Sequence, residues 1–250
     1  MYYQIEGTNV RLAGSMHYVP EGATVPQWVL DASRWSEEVY FESNKDDLPR
    51  HTLLPCGRSS EANVPADLWA NMKAHWPAHM PVLGPQKLWT IAIVLGTTGL
   101  RLTYGVEHEV TELTKTDSRE IKYLETVDEF VQLQDAVPDS DYVSAFPIIL
   151  NTPADVRARN ITALYTAWMS GQAEAVSAVI NTTPLAQFPR VKTAMFDARN
   201  ALWLPRIIDI IRSGKRTVIY VGAGHVGGPN GLLSLLARSR HDVITLLLTS

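Results

Sequence analysis

The sequence predicts an α/β fold in which a central, largely parallel but mixed sheet is flanked by helices and carries a helical insertion or cap. Short β-branched runs alternate with longer segments of helical periodicity, and a helical crossover is the common connection between parallel strands. Between residues 44 and 103 the composition shifts toward proline, with short helical pieces between the prolines. We therefore expect one α/β domain over residues 1–250, with residues 44–103 as an insertion or cap within it.

Composition excludes several classes of function. A chain of 250 residues that is 46% hydrophobic and 19% charged can bury a sizeable core. The net charge of −4, without a Lys/Arg cluster, argues against a nucleic-acid partner. No apolar run approaches the roughly 20 residues that span a bilayer, and the first residues lack the pattern of a secretory signal. Cys56 is the only cysteine, which favours a reducing compartment, so we expect a cytoplasmic protein without a membrane partner.

The first predicted unit runs strand, histidine loop, helix, strand, glutamate. Its second strand leads into a Gly-x-x-His sequence that ends at His17, and its last strand ends at Glu42. In order, the elements are hairpin strands over 2–6 and 9–13, a helix with Pro26 at its first position, and a strand over 38–43.

The proline-rich segment predicts two helices, over 65–76 and 86–95. His75 and His79 lie at a spacing that helices use for metal binding. Pro77 stands between them and breaks the helix that such a pair needs, so we interpret both as surface residues.

A second unit repeats the order of the first. A strand over 100–104 is predicted to lead into another Gly-x-x-His sequence that ends at His108, followed by a helix and a strand over 120–124 that ends at Glu125. Three such sequences at predicted strand ends exceed the false-positive level of a short motif. The repetition therefore indicates a repeated architecture.

The remaining elements complete the α/β pattern. Residues 126–183 are predicted to be helical, with breaks at prolines and Gly171, and structural packing explains them. A strand over 217–221 then leads into a glycine-rich loop that carries His225. The other predicted elements are a helix over 189–212, kinked or divided at Pro205, a helix over 232–238 and a strand over 243–248.

Five candidate side chains lie at or just past predicted strand ends: His17, Glu42, Glu107, Glu125 and His225. Parallel strands would bring them to one sheet edge, where ligands collect in such folds. Two imidazoles with carboxylates suit a divalent metal such as Zn²⁺, Mn²⁺ or Co²⁺, which activates water, and a further glutamate could act as general base. Any single glutamate could instead have a structural role, as a helix cap or as the partner of an arginine.

Two other chemistries fit the sequence less well. It contains no Gly-x-Ser-x-Gly sequence, so Ser15 lacks the turn of a serine hydrolase. The glycines around His225 do not match the pattern of a dinucleotide-binding loop, and the imidazole would obstruct phosphate.

Motifs along almost the whole chain resemble those of the TraB/GumN family, which includes the Tiki-type metalloproteases. They are GSMH, VYFES, GVEHEV, YLETVDEF, AWMSGQ, ARNALW and GAGH, in that order. The resemblance implies an α/β fold related to erythromycin esterase and the haem-binding ChaN proteins, and a metal-dependent hydrolase with the peptidase activity of the Tiki branch. Family members are often exported or membrane-anchored, and this sequence shows neither feature.

The resemblance also implies roles for individual residues. The metal-site positions of the family match His17, Glu42 and His225. Further motif positions, taken as catalytic candidates, match Glu107, Glu125 and Arg199, of which Arg199 could stabilise an oxyanion.

The leading hypothesis is a metal-dependent hydrolase, of the peptidase kind, that acts on a peptide or small-molecule substrate. The rival is a non-catalytic binding or regulatory protein of the pheromone-shutdown type, and the third alternative is haem or iron binding. Homo-oligomerisation is left open.

Overall fold

Six strands form one mixed sheet in the computed structural model, which describes residues 1–246. Their order is β6-β4-β7-β2-β1-β8. In chain order the eight strands of the described chain are β1 Tyr2–Ile5, β2 Val10–Ser15, β3 Tyr18–Pro20, β4 Glu38–Phe41, β5 Leu102–Tyr104, β6 Ile121–Tyr123, β7 Thr217–Gly222 and β8 Val243–Thr245.

The four neighbours β6, β4, β7 and β2 run parallel, whereas β1 is antiparallel to both β2 and β8. The first five residues of β7 are all buried, as expected for a central parallel strand that is covered on both faces. The predicted α/β fold, the mixed and largely parallel sheet, and the hairpin of the first two strands are therefore confirmed. The last predicted strand, 243–248, is observed as β8, and its end falls on residues 247–250, outside the described part of the chain.

The second predicted unit is correct in its helix and its last strand but not in its first strand. Strand β5 does not join the main sheet but pairs antiparallel with β3, a strand that the sequence pattern did not indicate. Thr103 and Tyr104 are exposed, so β5 lacks the apolar faces that a strand inside a covered sheet requires. The helix that follows β5 and strand β6 occupy the predicted places.

Helices cover both faces of the sheet. They are α1 Gln27–Trp35, α2 Ala66–His75, α3 Leu88–Thr97, α4 Val106–Thr116, α5 Val127–Asp135, α6 Asp139–Asn151, α7 Ala154–Met169, α8 Ala173–Asn181, α9 Pro189–Lys192, α10 Ala198–Ser213 and α11 Leu232–Arg238. Pro26 is the N-cap of α1 rather than its first helical residue, which is a difference of one position. The predicted helix over 189–212 is divided by a π-helical turn at Thr193–Asp197, and Pro205 lies inside α10.

Two hydrophobic clusters stabilise the fold. The larger surrounds the main sheet and includes Trp168 and Trp203, both fully buried. The smaller combines residues of α2 and α3 with residues of α5, α6 and the π-helical turn. Segment 44–103 thus shares a core with later helices, and its status as an insertion stays a prediction. Both His75 and His79 are exposed, as the sequence indicated.

No helix within residues 1–246 combines the length and the apolar character that a membrane crossing requires.

Candidate functional site

Four candidate residues lie at the carboxyl ends of the four parallel strands. His17 follows β2, Glu42 follows β4, Glu125 follows β6, and His225 follows β7. The strand register keeps the ends level, and the backbone N–H of Glu125 donates to the carbonyl of Glu42 at 2.8 Å. The parallel sheet therefore brings residues from both ends of the chain to one edge.

The last residue of β7, Gly222, lies at the centre of this group. A Cβ atom on Gly222 would lie 3.0 Å from Oε1 of Glu42, 3.6 Å from Cδ2 of His225 and 3.7 Å from Nε2 of His17. The backbone N–H of Gly222 donates to Oε1 of Glu42 at 2.5 Å. Glycine at this position thus leaves a small space around which the two histidines and the glutamate converge.

The tautomer of His225 is fixed by Asn200. The amide nitrogen of Asn200 donates to the carbonyls of His225 and Asn230, at 3.2 and 2.9 Å. This orientation leaves Oδ1 of Asn200 to accept from Nδ1–H of His225 at 2.8 Å, so Nε2 carries no proton. Burial lowers the pKa of His225 to about 3, which keeps the ring neutral at pH 7.

His17 also presents Nε2 to the space at Gly222, because Nδ1 lies 2.6 Å from Oε1 of Glu107. Burial raises the pKa of Glu107, but the nearby His17 and Lys45 outweigh it and lower that pKa to about 2. The ionised carboxylate accepts a second hydrogen bond from Ser15, at 2.9 Å. Nζ of Lys45 lies 2.5 Å from the same Nδ1 of His17, so the ammonium and the carboxylate compete for one nitrogen.

Glu107 reaches the site from the first turn of α4 and not from a strand of the main sheet. The backbone N–H groups of Gly105 and Val106 donate to the carbonyls of His17 and Met16, both at 3.0 Å. A Cβ on Gly105 would overlap the carbonyl oxygen of Met16, so this approach requires glycine. The Gly-x-x-His sequence at 105 therefore docks α4 onto the His17 loop.

His108, the histidine of that sequence, lies outside the site. It is exposed and stacks on Tyr104, with ring centroids 4.6 Å apart.

Arg199, from α10, links the two glutamates and His225. Its Nη2 donates to Oε2 of Glu42 at 2.8 Å and to Glu125, and its Nε donates to Oε1 of Glu125 at 2.9 Å. Its Nη1 lies 3.2 Å from Nε2 of His225 and 3.4 Å from the carbonyl of Met195. All five N–H groups of this guanidinium are thus used, so none is free for an oxyanion.

The two glutamates respond differently to burial. Burial raises the pKa of Glu42, but Arg199 and His225 outweigh it and hold that pKa well below its usual range. Burial raises the pKa of Glu125, and here the opposing effect of Arg199 does not outweigh it. Both oxygens of Glu125 are bonded to Arg199, one of them also to Trp203, and its side chain has no exposed surface. In this arrangement Glu125 holds Arg199 in place.

The site contains the kinds of atoms that bind a divalent metal, but their spacing is not that of a formed metal site. Both histidines turn Nε2 inward with Nδ1 against an oxygen atom, as metal-ligating histidines do. Oε1 of Glu42 lies 3.7 Å from Nε2 of His225, a separation that one shared ion can bridge. However, Nη1 of Arg199 contacts that same nitrogen, and no three His, Cys, Asp or Glu side chains in residues 1–246 surround one point as ligands do.

The sequence reasoning missed three partners of the site: Ser15, Lys45 and Asn200. Asn200 stands beside Arg199 in the motif ARNALW, where it could have been noticed as a hydrogen-bonding partner. Ser15 was considered only as a nucleophile. Lys45 lies in a polar turn after β4, and no sequence signal distinguishes it from a surface lysine.

Comparison with known proteins gives one match. The sequence model described as the TraB/PrgY/gumN family matches residues 3–243, nearly the whole chain. No curated protein and no solved structure matches.

Proposed function

This chain belongs to the TraB/PrgY/gumN family, and we propose that it is a metal-dependent hydrolase of the peptidase kind whose site lies at Gly222. The observation that carries the proposal is the pair of inward-facing Nε2 atoms of His17 and His225 beside the carboxylate of Glu42. Peptides or small molecules with a hydrolysable carbonyl group are the proposed substrates.

In this proposal, His17, Glu42 and His225 hold a Zn²⁺, Mn²⁺ or Co²⁺ ion. When bound, such an ion lowers the pKa of water and polarises a carbonyl group. Asn200 and Glu107 orient the two imidazoles by accepting from Nδ1.

Charge at the site supports the same proposal. The carboxylates of Glu42, Glu107 and Glu125 cluster around two ion-paired cations, Lys45 and Arg199, and a carboxylate-rich site of this kind attracts a further cation. Oε2 of Glu107 is also buried, and no group of residues 1–246 forms a hydrogen bond with it. An uncompensated buried oxygen atom favours the entry of a cation or a polar ligand group.

Neither proposed catalytic glutamate has the properties of a general base in this arrangement. Glu107, with a pKa of about 2, is a weak base at pH 7, and Glu125 is enclosed. Lys45 is half-exposed beside His17 and is the positively charged donor that a substrate oxygen can reach. We therefore assign Glu107, Glu125 and Arg199 to positioning, and Lys45 to stabilising negative charge on the substrate.

Metal binding tests the proposal directly. Purified protein is stripped with a chelator, loaded separately with Mn²⁺, Co²⁺ or Zn²⁺, and analysed for bound metal and for cleavage of a peptide mixture. We expect about one ion per chain in the wild type and loss of ion and turnover in His17→Ala and His225→Ala. His108→Ala is the matched control, because it removes the histidine of the Gly-x-x-His sequence at 105–108, which lies outside the site. Folded wild type that binds none of the ions contradicts the proposal.

A non-catalytic binding protein is the second candidate. The observation that favours it is the Arg199 network, in which both glutamates and His225 are satisfied without an ion. It predicts no turnover with any added metal and a stable fold in the stripped protein. Haem or iron binding remains a prediction, and a visible absorption band on titration with haem would support it.

A further inference from the structure

A cavity outside the candidate site is lined by residues of α3, α7, α8 and the π-helical turn. Its volume is about 280 Å³. Its walls are largely apolar and include Ile161, Leu164, Ile180 and Phe196. Apolar cavities with few polar groups are the usual form of a small-molecule site.

Among residues 1–246, Arg157 of α7 is the charged residue that lines this cavity. Its Nη1 donates to the carbonyls of Ile149 and Thr152, and its Nη2 donates to the carbonyl of Thr98 at 3.0 Å. These carbonyls lie at the C-terminal ends of α6 and α3, where a positive charge is favourable.

This structural role leaves part of the guanidinium unused. Of its five N–H groups, three donate to the helix-end carbonyls, and Nε finds no acceptor in the described part of the chain. Within residues 1–246, no carboxylate forms a salt bridge with Arg157. The cavity therefore combines an apolar wall with a positive charge that lacks an anion.

We propose that this cavity binds an aliphatic monocarboxylate. The carboxylate accepts from the remaining Nη2–H of Arg157, and Asn160, one turn further along α7, lines the same cavity. The hydrocarbon chain lies against Ile161 and Leu164 of the same helix. This site is independent of the proposed hydrolase function.

The cavity shares a wall with the candidate site. Phe196 lines the cavity and packs against the ring of His225, with centroids 5.1 Å apart. Met195 also lines the cavity, and its carbonyl lies 3.4 Å from Nη1 of Arg199. Both residues belong to the π-helical turn, a conformation that is frequent at functional sites. A bound chain therefore contacts the residues that support His225 and Arg199.

Gly96 offers a way to fill the cavity without disturbing the core. It lies in α3, lines the cavity, and a Cβ atom placed on it meets no atom within 4 Å. A leucine there directs its side chain into the open space and replaces a poor helix former. Gly96→Leu should therefore fold and occupy the volume of the ligand. Ala70→Leu, on the exposed side of α2, is the matched control.

Isothermal titration calorimetry of the full chain with octanoate, octan-1-ol and acetate tests the proposal. Wild type and Ala70→Leu should bind octanoate, and acetate should give no measurable binding. Gly96→Leu should lose binding, with its fold checked by circular dichroism. Octan-1-ol should bind the wild type, and octanoate should bind Arg157→Gln, roughly tenfold to a hundredfold more weakly than octanoate binds the wild type. In both cases a charge-assisted hydrogen bond is lost.

Three results would overturn the proposal. If octanoate does not bind the wild type, the proposed site is refuted. Equal binding of octanoate by Gly96→Leu places the ligand elsewhere. Equal binding of octan-1-ol and octanoate refutes the carboxylate assignment. None of these depends on metal or turnover, so the proposed hydrolase function stands or falls separately.

Discussion

Gly105→Ala should destabilise the fold by a mechanism that the structure specifies. The φ of Gly105 is −110°, outside the left-handed region that favours glycine, so the cost considered is that of the added Cβ atom. The added Cβ would overlap the carbonyl oxygen of Met16 and lie 2.8 Å from the carbonyl carbon of His17. Relief of the overlap requires α4 to move away and strains two backbone hydrogen bonds, those of Gly105 and Val106. Overpacking and the weakened bonds together should cost about 2 to 4 kcal/mol.

Equilibrium unfolding in urea measures this loss. Gly96→Ala serves as the control, since its Cβ meets no atom within 4 Å and alanine favours the helix, so it should be neutral or about 0.5–1 kcal/mol more stable. The reasoning is refuted if Gly105→Ala unfolds within about 0.5 kcal/mol of the wild type, a difference typical of neutral surface changes.

Three further predictions concern stability. Arg199→Met leaves the carboxylates of Glu42 and Glu125 buried and unpaired, so urea unfolding at pH 7 should show a loss of about 3–5 kcal/mol; a loss below about 1 kcal/mol would contradict the network. The folded-state pKa of His225 is about 3, below the ordinary 6.5, so the unfolded state gains a proton first and stability falls as pH drops through 6.5 toward 3. In chelator, the free energy of unfolding of the wild type should fall by about 2 kcal/mol more than that of His225→Asn between pH 7 and pH 5. Parallel pH profiles of the two proteins would show that His225 titrates normally. Thr126→Ala removes the capping box of α5 and should cost about 1 kcal/mol in thermal unfolding, whereas an unchanged melting temperature would mean that the cap contributes nothing.

Local signals were sufficient to predict most of the fold. Strand β7 is a continuous apolar run bounded by glycine, and α11 begins and ends at the predicted residues Leu232 and Arg238. Glu42 and Glu125 were placed correctly at the ends of their strands because each follows a short β-branched or aromatic segment. In a parallel sheet these ends share an edge by geometry, so their convergence required no further information.

Pairing partners could not be read from the sequence. The pattern of β5 is compatible with any short strand, and only the approach of Gly105 to His17 shows why it pairs with β3. The sequence predicts Arg199 as a possible oxyanion donor, but its hydrogen bonds form because the first turn of α10 lies against the residues that follow β4 and β6. Such contacts join positions far apart in the chain, which periodicity and propensity do not describe.

The central parallel pairing of β2 with β7 has a consequence for how the protein is made. Val10 pairs with Thr217, so this contact closes a loop of about 200 residues, with an entropic cost about 3 kcal/mol greater than that of the first hairpin. His17 and His225 come together only when that loop has closed. A ribosome-bound chain therefore has no complete site until β7 has emerged and paired with β2. For the proposed metal site, recovery of ion binding during refolding would then report the closure of this long loop and not the collapse of the core.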